Sequence, residues 1–122
     1  MNSDPSPKRK MSEMISEMAA PFISQGKTPE EKHHRLTAAC SAWNMACGSP
    51  EIRRQQLEQY VEGYRQNNPA TSPGDLANIR KVMEALMERK VQMFPDDKRQ
   101  IISAEIVMVG KNYRIEVASA NS

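Results

Sequence analysis

Between Ser72 and Ala118 the apolar residues change their spacing once, and the change falls at Pro95. Before it, Leu76, Ile79, Val82, Met83, Leu86, Met87, Val91, Met93 and Phe94 recur at the 3.6-residue period of a helix. Asn78, Lys81, Ala85, Glu88, Arg89 and Gln92 line the other side. At 100° per residue the apolar band is about 180° wide, which suits a helix with two neighbours. Ser72-Pro73-Gly74-Asp75 marks its start: a hydroxyl to cap a free amide, a proline that wastes no donor, and an acid three residues on. Pro95 stops it, because the residue before a proline is pushed out of helical geometry and the proline has no amide to donate. A long central helix over 73–94 is therefore expected.

Beyond Asp96-Asp97-Lys98-Arg99 the period becomes 2. Ile102, Ala104, Ile106 and Met108 alternate with Ser103, Glu105 and Val107; after Gly110-Lys111-Asn112, Tyr113, Ile115 and Val117 alternate with Arg114, Glu116 and Ala118. This predicts an antiparallel β-hairpin with strands at 100–109 and 113–119. A two-residue loop at Lys111 and Asn112 sets Met108 opposite Ile115 and Ile106 opposite Val117, with Glu105, Glu116 and Arg114 sharing the second face. One face is expected to lie on the long helix. Ile101, Val107 and Val109 leave apolar groups on the other.

A lone two-stranded ribbon is marginal in water and has two open edges. Neither arm carries a proline or a lysine run that would discourage edge pairing. Self-association through the hairpin, in a homodimer, or docking of another protein is the expectation, with Ile101, Val107, Val109 and Tyr113 as interface candidates; a monomer whose hairpin packs only on its own helices is the alternative.

The upstream chain reads as helices that cover this unit. Residues 1–7 carry two prolines and almost nothing to bury, and are expected to be a disordered tail ahead of a single domain over 8–122. Met11, Met14, Ile15, Met18, Ala19 and Phe22 form one helical stripe, ended by Ser24-Gln25-Gly26-Lys27. Met11 and Met14 are a second set of interface candidates, since methionine suits tolerant binding surfaces as well as core gaps. Thr28-Pro29-Glu30-Glu31 is a full capping box for a helix running to Cys47, whose small-residue face surrounds Trp43. Gly48 stops it, and Ser49-Pro50 restarts the chain in a helix to about Gln66 with Leu57, Tyr60, Val61 and Tyr64 on one stripe. The fold class is α+β: mostly helical, about four helices, with a C-terminal hairpin.

Composition narrows the class further. A chain of 122 residues with 39% hydrophobic content supports one domain with a core. A net charge of +2 gives no global attraction to nucleic acid or to a membrane surface. No apolar run approaches the roughly 20 residues that span a bilayer, and Glu13 and Glu17 interrupt any secretory core, so a cytoplasmic protein is expected. Cys40 and Cys47, seven residues apart on one helix, stand about 10.5 Å apart at 1.5 Å per residue, beyond disulfide reach. They are read as reduced thiols. Nine methionines stand against one Trp, three Tyr and two Phe, and core filling is their preferred role.

No catalytic constellation emerges and no cofactor is called for. Glu30 and His33, or Glu31 and His34, have the i, i+3 spacing that puts a carboxylate and an imidazole on one helix face for a metal. Adjacent histidines, however, diverge by about 100° on a helix. A solvated first turn is preferred, and metal binding is a second alternative. Cys40 would need a base, and His33 is about 10 Å away by helix rise. The five glycines are scattered singly, so there is no phosphate loop. The first alternative is a DNA-binding regulator that reads through the helix from Pro50, using Arg53, Arg54, Gln55 and Arg65, with Arg80, Lys81, Arg89 and Lys90 as further cations. Glu51, Glu58, Glu62, Glu84 and Glu88 alternate with these bases and weaken that reading. A small, non-enzymatic interaction or regulatory protein is the function expected.

Overall fold

The computed structural model describes residues 10–120; the expected tail at 1–7 lies outside them. Helices α1 (Met11–Ser24), α2 (Pro29–Ala46), α3 (Pro50–Asn67) and α4 (Pro73–Met93) precede strands β1 (Gln100–Val109) and β2 (Asn112–Ala120), which pair as one antiparallel sheet. The fold is α+β and mostly helical, with α4 the longest element.

Three helix starts obey the same chemistry. The side chains of Thr28, Ser49 and Ser72 accept the N–H of Glu31, Ile52 and Asp75 at 3.1, 3.3 and 3.1 Å, each with proline in the first turn. Each cap is worth about 1 kcal/mol. Helix α1 instead runs straight through Pro21. A proline there leaves the carbonyl four residues back, that of Glu17, without its helical donor. Arg89 of α4 supplies the replacement, donating from Nη2 to Glu17 O at 3.1 Å and from Nε to Met18 O at 2.7 Å. The α1–α2 turn is as tight: a Cβ on Gly26 would stand 2.7 Å from the backbone nitrogen of Lys32.

Helix α2 packs against α1, α3, α4 and β1. Its Leu36, Ala39, Ala42 and Trp43 are fully buried among Ile15, Met18 and Ile23 of α1 and Met83, Leu86 and Met87 of α4. Met11, Met14, Met18, Met45, Met83 and Met87 are buried, so methionine fills gaps in this core. Met11 and Met14 are thus committed inside the fold, not displayed for a second chain.

The hairpin lies on α2 and α1, and neither strand packs on α4. The expectation that it would rest on the long helix is corrected here. A set of side chains aimed at backbone carbonyls explains the placement. After Phe94, Lys90 reaches forward to donate to Phe94 O at 2.8 Å and Asp97 O at 2.6 Å, Trp43 Nε1 donates to Arg99 O at 2.8 Å, and Asn44 holds Ile101. Lys90 is 1% exposed and sits 4.9 Å from the Trp43 ring, which tilts against Phe94. The segment after Pro95 is thereby turned back over the C-terminal end of α2.

Two details of the hairpin differ from the sequence reading. The loop is two residues, but Gly110 and Lys111 rather than Lys111 and Asn112, so Ile106 faces Ile115 and Met108 faces Tyr113. The cause is Gly110, with φ of 63°, at the first loop position, where a type II′ turn places glycine. A bulge between Ile101 and Ser103 is the second difference. One extra residue reverses the facing of everything before it: Ile101 turns into the core at 8% exposure and Ile102 is turned out at 69%.

Candidate interaction surface

The hairpin is anchored on one face and open on the other. Ala104, Ile106, Tyr113, Ile115 and Val117 are half-buried against the helices. Tyr113 is held at its tip, where its hydroxyl shares a 3.1 Å hydrogen bond with Ser24 Oγ and the Lys32 ammonium lies 5.4 Å from its ring. The outer face carries Val107, half-buried, and Val109, 52% exposed, around a group of charges. Of the expected interface residues, Val107 and Val109 share this face, Tyr113 lies on the inner one, and Ile101, Met11 and Met14 are in the core.

The charges on the outer face are not balanced within the chain. Glu105 stands directly opposite Glu116 across the ladder, a like-charge pair that destabilises a sheet. Arg114 pairs with Glu116, donating from Nε at 3.0 Å, with both side chains at least half exposed. Among the described residues Glu105 has no ion-pair partner.

The edges differ from one another. Asn44 covers the beginning of β1, giving the N–H and the C=O of Ile101 their partners. Along β2, among the described residues, no helix or loop backbone bonds to the edge. A groove of about 510 Å³ runs beside that edge, between Tyr113, Arg114 and Ile115 and the Ser12, Ser16 and Ala20 side of α1, with Glu13 and Glu17 exposed on its rim.

The candidates for other chemistry are dispersed. His33 and His34 are exposed, and Glu31 is engaged in the capping box, accepting from Lys27 N at 3.2 Å. Among the described residues no three His, Cys, Asp or Glu side chains converge to hold a metal. Burial pushes the Cys40 thiol up to about 12 and keeps it protonated. On α3, Arg53 donates to Gly48 O at 2.8 Å and Arg65 pairs with Glu62. Arg53 and Arg54 share a groove with Glu84 and Glu88, Gln55 is exposed, and Arg80 is paired with Glu58. Arg89 is exposed but engaged by the Glu17 and Met18 carbonyls, and Lys90 is buried, so the cations named from sequence form no continuous basic face.

A groove that the sequence reading did not identify opens where α2, α3 and α4 meet. It encloses about 640 Å³ and is lined by Tyr60, Tyr64, Val82 and Met83, with both histidines on its wall. Burial raises the Tyr60 phenol above its ordinary value, so it remains a donor. Its members come from all four helices, Phe22 of α1 included, and no local spacing could have announced it.

No protein-family model, curated protein or solved structure matches the chain.

Proposed function

We propose that this chain is a small, non-enzymatic interaction or regulatory protein of the cytoplasm that works as a homodimer joined through its C-terminal hairpin. One observation carries the reading: a two-stranded sheet, bound by helices on one face, has a β2 edge to which, among the described residues, no helix or loop backbone bonds. Such an edge is a template for another strand unless something covers it. A second copy is the occupant that brings the same open edge, and set antiparallel it can place its Arg114 against Glu116.

The remaining features support the same reading. Two thiols without a disulfide suit a reducing compartment, and among the described residues no helix is long and apolar enough to cross a membrane. A buried, protonated Cys40 is poorly placed to act as a nucleophile. Light scattering over a concentration series tests the proposal. A weight-average mass rising from 13.8 kDa toward twice that value is expected; a mass fixed at 13.8 kDa up to millimolar concentration would remove it.

A further inference from the structure

Resting on that reading of a hairpin-joined homodimer, we infer that the two copies meet at their β2 edges, antiparallel, with the two-fold axis at Ile115. The argument begins with the ladder. Val109 and Asn112 close a two-residue loop and exchange both their hydrogen bonds, so alternation turns the N–H and C=O of Tyr113, Ile115 and Val117 away from β1. A second β2 placed antiparallel, with Ile115 facing its own copy, meets those groups in register.

That register is self-complementary on both faces. On the outer face Arg114 of one copy falls opposite Glu116 of the other, twice by symmetry, while on the inner face Tyr113 meets Val117 and Ile115 meets Ile115. The second copy's Arg114 adds to the cation that Glu116 already has in its own strand, while Glu105, one strand further from the axis, is not reached. Beneath the sheet, Ser12, Ser16 and Ala20 give the facing side of α1 a shallow profile. Ser16 bonds back to Ser12 O at 2.8 Å, so its hydroxyl is already satisfied by its own helix.

The β1 edge fits a copy of itself less well. Ala104, Ile106 and Met108 turn their backbone groups outward there, and a two-fold at Ile106 would set Glu105 against Val107, with no ion pair. Asn44 closes its start.

Charge exchange tests the register while leaving the core untouched. Arg114→Glu and Glu116→Arg are each made in the full chain, and mass is followed by sedimentation alone and in an equal mixture. Each variant by itself sets like charges opposite twice, and its self-association weakens on the order of tenfold or more. The mixture restores opposite charges at both positions, and a heterodimer with wild-type affinity is expected. If the wild type dimerises and neither single variant is weakened, the β2 register is overturned while self-association stands. If the wild type stays a monomer, both fall.

Discussion

Asn44 holds Ile101 by both ends of one amide: Oδ1 accepts the Ile101 N–H at 2.7 Å, and Nδ2 donates to the Ile101 carbonyl at 3.0 Å. A side-chain amide on α2 thus does for the first residues of β1 what the peptide of a neighbouring strand would do. It also fixes the residue just before the bulge, so the facing of Ile101 is set from outside the sheet.

Asn44→Ala leaves a strand N–H and C=O without partners and loses the anchor. A destabilisation of about 2–3 kcal/mol is expected, from an unsatisfied group costing about 1–3, read as a lower urea midpoint. Asn44→Asp keeps the acceptor and loses the donor, so it falls between; an alanine variant within 0.5 kcal/mol of wild type, the ordinary scatter of surface changes, would contradict the assignment.

Lys90→Met keeps the length of the stem and removes the ammonium that bonds Phe94 O and Asp97 O over the Trp43 ring. Two carbonyls lose a charged donor, and the cost expected is about 2–4 kcal/mol by analogy with hydrogen bonds to charged groups. Trp43 fluorescence should shift with it, since the cation leaves the ring face. A variant as stable as wild type would show that the strap from Phe94 to Arg99 is held by other contacts.

How much of this could be read in advance depends on how local the cause was. The three caps at Thr28, Ser49 and Ser72 and the change of period at Pro95 are decided within a few residues, and each stands where the residues predicted it. The facing of Ile101 was not readable, because the alternation of Ile102, Ala104 and Ile106 is uninterrupted in sequence and the bulge is imposed by Asn44, 57 positions away. Lys90 looks like one more cation on a helix. Only the course of the chain after Pro95 puts two carbonyls beside it. Of the interaction surface, Val107, Val109 and the Arg114–Glu116 face were legible from period 2, whereas the groove beside β2 needed α1 in place.

Acid should weaken the fold through the same strap. Hydrogen bonds from Arg99, at 2.6 and 3.0 Å with both side chains largely buried, hold the Asp97 carboxyl below its ordinary value. With the folded value below the unfolded 3.8, the unfolded chain takes up the proton first as pH falls. The contribution is therefore whole above that range and is lost as pH drops through the folded value. Asp97→Asn should cost on the order of 1–2 kcal/mol at pH 7, and the urea midpoints of variant and wild type should converge by pH 2. Parallel curves with a constant gap would place the effect elsewhere.

The two thiols should separate kinetically. Cys40 is buried and its thiol is raised to about 12, while Cys47 is half-buried, raised by burial, and faces the Asp97 and Arg99 carbonyls at 3.8 Å. At pH 8 a disulfide reagent should label Cys47 first and slowly, and Cys40 only at the rate of global unfolding. Because the unfolded Cys40 loses its proton near 9.0 and the folded one near 12, stability should fall as pH rises through that window. Equal labelling rates would contradict the packing around Cys40.

Amide hydrogen exchange at two concentrations tests most directly the claim that the open edge of the hairpin is where copies meet. In dilute protein the N–H groups of Tyr113, Ile115 and Val117, which point away from β1, should exchange quickly; at high concentration they should become protected, with Ala104, Ile106 and Met108 unchanged. Exchange at those three β2 amides that stays equally fast once the protein is concentrated would contradict it.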